Sequence, residues 1–107
     1  MDRRGLWKLV LALLAFGSAN ANDSDAPATH TVTIANMKFE PAELIVKRGE
    51  RVIWINKDLV AHTATATTFD SSNIGPNASW TLVTLKSGEQ TYVCSLHPTM
   101  KARLIVR

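Results

Sequence analysis

From His30 onward the chain is divided into short β-prone runs, with turn-forming residues between them about every 8–12 residues. β-branched and aromatic side chains dominate the runs, and these suit a half-buried pleated surface. The expected strands are 30–35, 44–47, 51–56, 62–68, 80–86, 90–94 and 102–106. No stretch after residue 30 keeps an apolar period of about 3.6 residues over three turns, so little helix is expected. Such a chain predicts an all-β sandwich of two sheets.

The first residues do not fit this β pattern and have the features of an export signal. An apolar run at residues 9–16 is preceded by three positive residues, Arg3, Arg4 and Lys8. Small residues follow the run at positions 19 and 21. This order of positive, apolar and small residues is typical of a secretory signal peptide. The apolar run is too short to cross a bilayer, which takes about 20 residues.

This leader determines the predicted domain organisation. We expect a signal peptide at 1–21, a flexible N-terminal tail at 22–29 and one folded domain at 30–107. The mature protein is then expected in the periplasm. An uncleaved membrane anchor or a buried helix is the alternative for the leader. Its paired arginines leave the Sec and twin-arginine export routes both open.

The basic charge of the chain belongs largely to this leader. The formal net charge is +3, and three of the positive side chains lie before residue 22, which leaves the mature chain nearly neutral. No basic cluster is visible in its sequence, because Lys47-Arg48 and Arg51 lie among Glu43 and Glu50. Nucleic-acid binders need a clustered basic face. We therefore expect no nucleic-acid partner.

The chain has one cysteine, which cannot form an internal disulfide or a multi-cysteine zinc site. A lone thiol is also unusual in an exported protein. Cys94, His97 and Met100 follow one another at three-residue spacing in a predicted loop between strands, and His62 begins a different predicted strand. Two imidazoles, a thiolate and a weak axial thioether are the donors of a blue-copper site. The sequence therefore predicts one bound copper ion.

With this donor set, the mature chain resembles the cupredoxin family of type 1 blue copper proteins, and most of all its amicyanin branch. The resemblance covers nearly all of residues 30–107. Its most specific part is the spacing Cys-x2-His-x2-Met at 94–100, with Pro98 after the histidine. It also includes Phe39-Glu40-Pro41, the run 46–56 and Tyr92-Val93-Cys94. It implies a Greek-key β-sandwich of about seven to eight strands.

The resemblance also implies a ligand set and a function. His62, Cys94 and His97 would be the strong equatorial copper ligands, and Met100 would be the axial one. The chain would then be a monomeric carrier of single electrons by Cu(II)/Cu(I) cycling, not an enzyme. A dehydrogenase donor and a cytochrome acceptor would be its transient partners. No stable membrane insertion is expected after the leader is cleaved.

Two other classes of function compete with this interpretation. A periplasmic copper-binding or delivery protein would use the same ligands and often extra donors, of which only His30 and Met37 are to spare. An enzyme, either a thiol hydrolase or a copper oxidase, would need a substrate cleft or further histidines. The chain has three histidines in all, so we rank the enzyme class last.

Three positions depart from the amicyanin-like pattern. Leu96 stands where such loops usually have Pro, and Val60-Ala61 precede His62 where many relatives have Pro directly before the ligand. Thr63 follows His62 where most relatives have Asn, whose side chain ties the two ligand loops together. The shorter threonine predicts a less rigid tie.

Overall fold

Two β-sheets make up the part of the chain that this computed structural model describes, residues 26–107. The strands are β1 Thr29–Ala35, β2 Lys38–Glu40, β3 Glu43–Val46, β4 Arg51–Asn56, β5 Ser79–Val83, β6 Gly88–Cys94 and β7 His97–Val106. One sheet has the order β2-β1-β4-β5 and the other β3-β7-β6. The predicted all-β sandwich is confirmed. The predicted signal peptide at 1–21 and residues 22–25 of the predicted tail lie outside the described residues.

Helix is absent from the described range, so nothing in residues 26–107 offers a helical membrane span.

Strand register defines two ends of the sandwich. The antiparallel pair β6–β7 runs from Gly88 opposite Val106 to Cys94 opposite His97. The strand from Gly88 to Cys94 rises about 3.3 Å per residue, which separates these two ends by about 20 Å. We call the end with Cys94 and His97 the upper end and the end with Gly88 and Val106 the lower end. Arg51, the first residue of β4, lies at the lower end, because the turn before it is held there by the Arg48 N–H, which donates to the Arg107 carbonyl at 2.8 Å. At its other end, β4 finishes with Asn56, whose side-chain amide donates to the carbonyl of Ile74 beside His62.

The core between the sheets is built around Trp54. Its ring is fully buried and lies edge-on to Tyr92 at a centroid distance of 5.5 Å, with Phe69 at 5.8 Å and Trp80 at 5.4 Å. The Trp54 Nε1–H donates to the Tyr92 hydroxyl at 3.2 Å. Burial raises the pKa of Tyr92 to about 12. The alternating buried residues of β1 and β4 complete this core, among them Val32, Ile34 and Val52.

The predicted strand 62–68 is wrong. Only isolated bridges occur there, between His62 and Ile74 and from Thr65 to Asp70 and Val93. The alternation of Thr and small residues is compatible with a strand. However, the backbone N–H and C=O groups of this segment form hydrogen bonds with several different segments and not with one neighbouring strand. The Ala64 N–H, for example, donates to the Ser71 hydroxyl at 2.8 Å. Strand propensity depends on such tertiary context.

One strand was not predicted, and two strand boundaries differ clearly from expectation. Strand β2 was not predicted; it follows β1 after a two-residue turn at Asn36 and Met37, whose φ angles are +53° and +61°. Strand β5 ends at Val83 because Thr84 turns inward, is buried, and donates its hydroxyl to the Glu50 carbonyl at 2.8 Å. Strand β7 begins at His97 instead of 102, so the predicted ligand loop shrinks to a short turn.

The turn from Lys47 to Glu50 joins the two sheets at the lower end. Gly49 has a φ of +95°, a left-handed conformation that favours glycine. The Glu50 carboxylate accepts the Lys47 N–H at 2.7 Å and contacts His30 Nε2 at 2.9 Å. The Lys47 N–H foremost, and then His30, lower the pKa of Glu50 below its ordinary value. The ionised carboxylate therefore fastens this turn to β1.

Replacing Glu50 with glutamine is expected to lower the free energy of unfolding near neutral pH and to matter less in acid. A carboxylate with a depressed folded pKa stabilises the protein above its unfolded pKa, and this contribution is lost as pH falls through the folded pKa. Urea unfolding at about pH 7 and about pH 3 checks the trend. Glu40→Gln, at an exposed position on β2, is the control. A deficit for Glu50→Gln that is equal at both pH values would contradict the expectation.

Candidate metal centre

Three predicted ligands converge at the upper end of the sandwich. The Cys94 Sγ lies 3.7 Å from His62 Nδ1 and 3.5 Å from His97 Nδ1. One donor atom from each residue lies within 4.8 Å of the other two. Metal–sulfur and metal–nitrogen bonds of about 2.3 and 2.0 Å, about 120° apart, separate sulfur from nitrogen by about 3.7 Å. The three donors are therefore spaced to hold one metal ion in a trigonal arrangement.

Local structure explains how these donors meet. Cys94 is the last residue of β6 and His97 the first of β7, and the two are paired across the turn at Ser95 and Leu96. His62 comes from the long connection between β4 and β5. Its backbone exchanges two hydrogen bonds with Ile74, at 3.1 and 2.7 Å. The site therefore joins one hairpin to one loop that is fastened by backbone bonds.

Met100 lies on β7 and is 5% exposed, within the buried core cluster. The register of β6 and β7 shifts beside it, because Val93 pairs with Lys101 while Cys94 pairs with His97. Residues 98–100 therefore form a bulge. Bulges change the direction of side chains and are frequent beside functional sites. The structure thus buries Met100 in the same cluster as Cys94, three residues after His97.

Asp58 contacts the imidazole of His62 on the ring nitrogen that does not face Cys94. This role of Asp58 was not predicted from the sequence. Its carboxylate lies 2.9 Å from His62 Nε2 and accepts the backbone N–H groups of Asn36 at 2.7 Å and Met37 at 2.9 Å. The Met37 N–H foremost, with His62 and Asn36, lowers the pKa of Asp58. A carboxylate on Nε2 favours the tautomer with the proton there, which leaves Nδ1 free to bind a metal. The available signal was an acidic residue four positions before His62.

A chain of hydroxyl groups links the two ligand segments. Asp70 accepts the Thr65 hydroxyl proton at 3.2 Å, so Thr65 must accept from the Thr63 hydroxyl at 2.8 Å. Thr63 in turn accepts the Ser95 N–H at 2.8 Å and the Ser95 hydroxyl at 3.0 Å. The Thr63 N–H donates to Cys94 Sγ at 3.3 Å. Thr63 therefore ties the loops together in spite of its shorter side chain.

Replacing Thr63 with valine is expected to lower the free energy of unfolding of the metal-free protein by about 1–3 kcal/mol. The isosteric side chain leaves the Ser95 N–H without its acceptor. Thr63→Ser keeps the hydroxyl and is expected to retain most of the stability. Urea unfolding of both variants measures the difference, and equal losses would show that the hydroxyl link contributes nothing.

The surroundings of the site are apolar. His62 and Cys94 are fully buried and His97 is half-buried. Exposed apolar side chains adjoin these residues in sequence or through the Asp58 contacts; they are Met37, Leu59, Val60 and Leu96. His30 lies away from the site, on Glu50 near the turn of the lower end. The upper end thus presents a half-buried imidazole within an apolar rim.

Comparisons with known proteins agree with this arrangement. A family model described as a cupredoxin-like domain matches residues 8–106. The chain is 32% identical to amicyanin-alpha of Methylorubrum extorquens over 103 residues, which is 89% of this chain and 86% of the relative. Two solved structures of amicyanin variants, one with Cu(I) and one oxidised, have TM-scores of 0.69 at 26% and 28% identity. Each comparison covers 74% of this chain and 82% of the other.

The donor set of two histidines, one cysteine and a nearby methionine is consistent with a single type 1 copper ion. Fold, donor spacing and sequence similarity agree, and the chain therefore belongs to the cupredoxin family.

Proposed function

We propose that this chain is a small periplasmic blue copper protein that carries single electrons between redox partners. The observation that supports this most is the convergence of Cys94 Sγ, His62 Nδ1 and His97 Nδ1 around one point. In this proposal these three residues are the equatorial ligands and Met100 is the axial ligand. The protein is then a carrier and not an enzyme.

Copper, when bound, supplies a one-electron Cu(II)/Cu(I) couple, and the protein holds the donors in place. Cys94 is the end of a strand, and His97 begins the strand that pairs with it. His62 is held by Ile74 through its backbone and by Asp58 through Nε2. Donors fixed in this way need little movement when the oxidation state changes, which favours rapid electron transfer.

The route for the electron leads through His97. It is half-buried, whereas His62 and Cys94 have no exposed surface. The rim beside it includes Leu96, which is 50% exposed, and Met37, which is 42% exposed. A small apolar rim favours brief and weak docking, as expected for redox encounters. A dehydrogenase donor and a cytochrome acceptor would be partners of this kind.

Copper delivery is the second candidate function. Met37 is exposed, and its backbone N–H donates to Asp58, which also contacts His62, so its thioether could serve as an entry donor for the metal. Release would have to open a site whose Cys94 and His62 are fully buried and hydrogen-bonded. This burial favours a resident ion over an exchangeable one, so we rank delivery second.

The test compares electron exchange with metal exchange in the copper-loaded chain. The oxidised protein is mixed with a small reductant, and the reduced protein with a colorimetric Cu(I) chelator. We expect an intensely blue oxidised form, reduction that is much faster than loss of copper, and full return of colour on reoxidation. A colourless site, or copper lost to the chelator as quickly as it is reduced, would instead indicate delivery.

The proposed location has its own test, by cell fractionation and mass spectrometry of the recovered protein. Cleavage after residue 21 predicts a periplasmic protein that begins at Asn22. A chain that retains residues 1–21 in the membrane fraction would support the uncleaved anchor.

A further inference from the structure

Positive side chains from distant parts of the sequence meet at the lower end, away from the metal centre. Lys47 and Arg48 follow β3 and line one shallow depression with Ser87 and Arg107. The Arg48 N–H donates to the Arg107 carbonyl at 2.8 Å, which holds the two segments together. The conclusion from sequence that no basic cluster exists is therefore wrong, because the tertiary structure assembles one.

Two more cations enlarge this group, which we call the basic end. It comprises the exposed residues Lys47, Arg48, Arg51, Lys86 and Arg107. Arg51 begins β4 opposite Val83, and Lys86 adjoins Ser87. Lys47, Arg48 and Arg51 are close in the sequence, whereas Lys86 and Arg107 come from distant segments, so the sequence shows only part of the cluster.

Among residues 26–107, few carboxylates oppose this charge. Glu50 is engaged by His30 and by the Lys47 N–H. Glu43 and Glu89 are both paired with Arg103 on the face of the second sheet. A terminal carboxylate on Arg107 would still leave the positive side chains in excess. The basic end therefore keeps a positive potential that attracts anions.

An apolar side chain projects from the same end. Leu85 is 77% exposed and directly precedes Lys86. Its other neighbour, Thr84, is buried and donates its hydroxyl to the carbonyls of Lys47 and Glu50, at 3.2 and 2.8 Å. The hydrogen bonds of Thr84 therefore fix the backbone next to the exposed Leu85. An exposed apolar side chain beside a cluster of Lys and Arg suits binding to the surface of an anionic membrane.

The start of β1, where the described chain first joins a sheet, lies at this same end. The Arg51 N–H donates to the carbonyl of Ala28, and Thr29 then pairs with Arg51 at the start of β1. Ala28 and Thr29, among the first residues that the structure describes, therefore lie beside the basic end.

We propose that the basic end binds anionic phospholipid headgroups, with Leu85 entering the interface between headgroups and acyl chains. This surface docking involves no spanning segment. It would hold the protein with its upper end, and the apolar rim around His97, turned away from the bilayer toward soluble redox partners. The inference does not depend on bound copper, so it stands or fails separately from the proposed electron transfer.

The test measures partition of the full chain onto lipid vesicles by sedimentation at low salt. Phosphatidylcholine vesicles are compared with vesicles that also contain phosphatidylglycerol. The variant K47Q/R48Q/R107Q is expected to bind the anionic vesicles roughly a hundredfold more weakly, since each cation near the surface contributes several-fold. The control K38Q/K57Q/K101Q removes equal charge at the upper end and is expected to change binding little. Repeating the comparison on residues 22–107 is expected to give the same ratio without the leader.

A second pair of variants tests the apolar tip. Leu85→Ser is expected to weaken binding to anionic vesicles several-fold, whereas Leu59→Ser, at an exposed leucine of the upper end, is expected to leave it unchanged. Equal weakening by the two triple variants in both forms of the chain would overturn the proposal. Binding to polyglutamate or duplex DNA as tight as binding to vesicles would also overturn the proposal. Full displacement of the protein from vesicles by millimolar inorganic phosphate would overturn it as well.

Discussion

Replacing Cys94 with alanine is expected to abolish the intense blue colour of the copper-loaded protein. The colour of such centres arises from the bond between copper and thiolate sulfur, and Cys94 is the single cysteine of the chain. His62 and His97 are left to hold copper more weakly and without strong visible absorption. Visible and EPR spectra of the loaded wild type and variant, recorded at equal copper content, measure the loss.

Met100→Leu is the matched control for this experiment. The axial thioether is a weak and long ligand, so its loss is expected to keep the blue colour while changing the reduction potential. Thermal unfolding of both variants without metal confirms that the fold survives. A Cys94→Ala protein that is still blue would refute the type 1 assignment, because no other thiolate is available in the chain.

Replacing Trp54 with alanine is expected to lower the free energy of unfolding by about 3–5 kcal/mol. The indole ring is fully buried and lies against Tyr92, Phe69 and Trp80. Its removal leaves a cavity and takes away the donor to the Tyr92 hydroxyl. A loss of this size in a domain of fewer than 100 residues lowers Tm by about 15 °C or more.

Trp80→Ala is the control, because Trp80 is half-buried on the edge strand β5. Its loss is expected to cost clearly less. Both variants are measured without copper, since a bound metal adds its own stabilisation. A Trp54→Ala protein no less stable than Trp80→Ala would show that the centre of the core lies elsewhere.

The candidate metal site was predictable because its chemistry is local and unusual. Cys94, His97 and Met100 are close in the sequence, and the types and spacing of their donor atoms are enough to indicate copper. Strand β4 was also predictable from the sequence. Its observed bounds, Arg51–Asn56, are the predicted ones, and every second residue along it is buried. His62 was predicted as a donor and its Nδ1 lies 3.7 Å from Cys94 Sγ, although the strand predicted around it was wrong.

The support around the site could not be predicted, since it depends on contacts between distant segments. Asp58 stabilises both His62 and the turn at Asn36 and Met37, which is 21 or 22 residues away. Likewise, Thr63 meets Ser95 across 32 residues. Neither pairing leaves a local pattern, because hydrogen-bond geometry is specified only when the sheets have packed.

The sequence by itself determined the fold class and indicated the candidate donor set. Both follow from short-range features, namely the rhythm of β-prone runs and a Cys-x2-His-x2-Met spacing with one further histidine. Only the tertiary structure decided how His62 reaches Cys94, where the carboxylate behind it comes from, and that Lys47, Arg48 and Arg107 share one surface. Side chains far apart in the chain become neighbours only through the register and packing of the two sheets, and a linear pattern does not record that register.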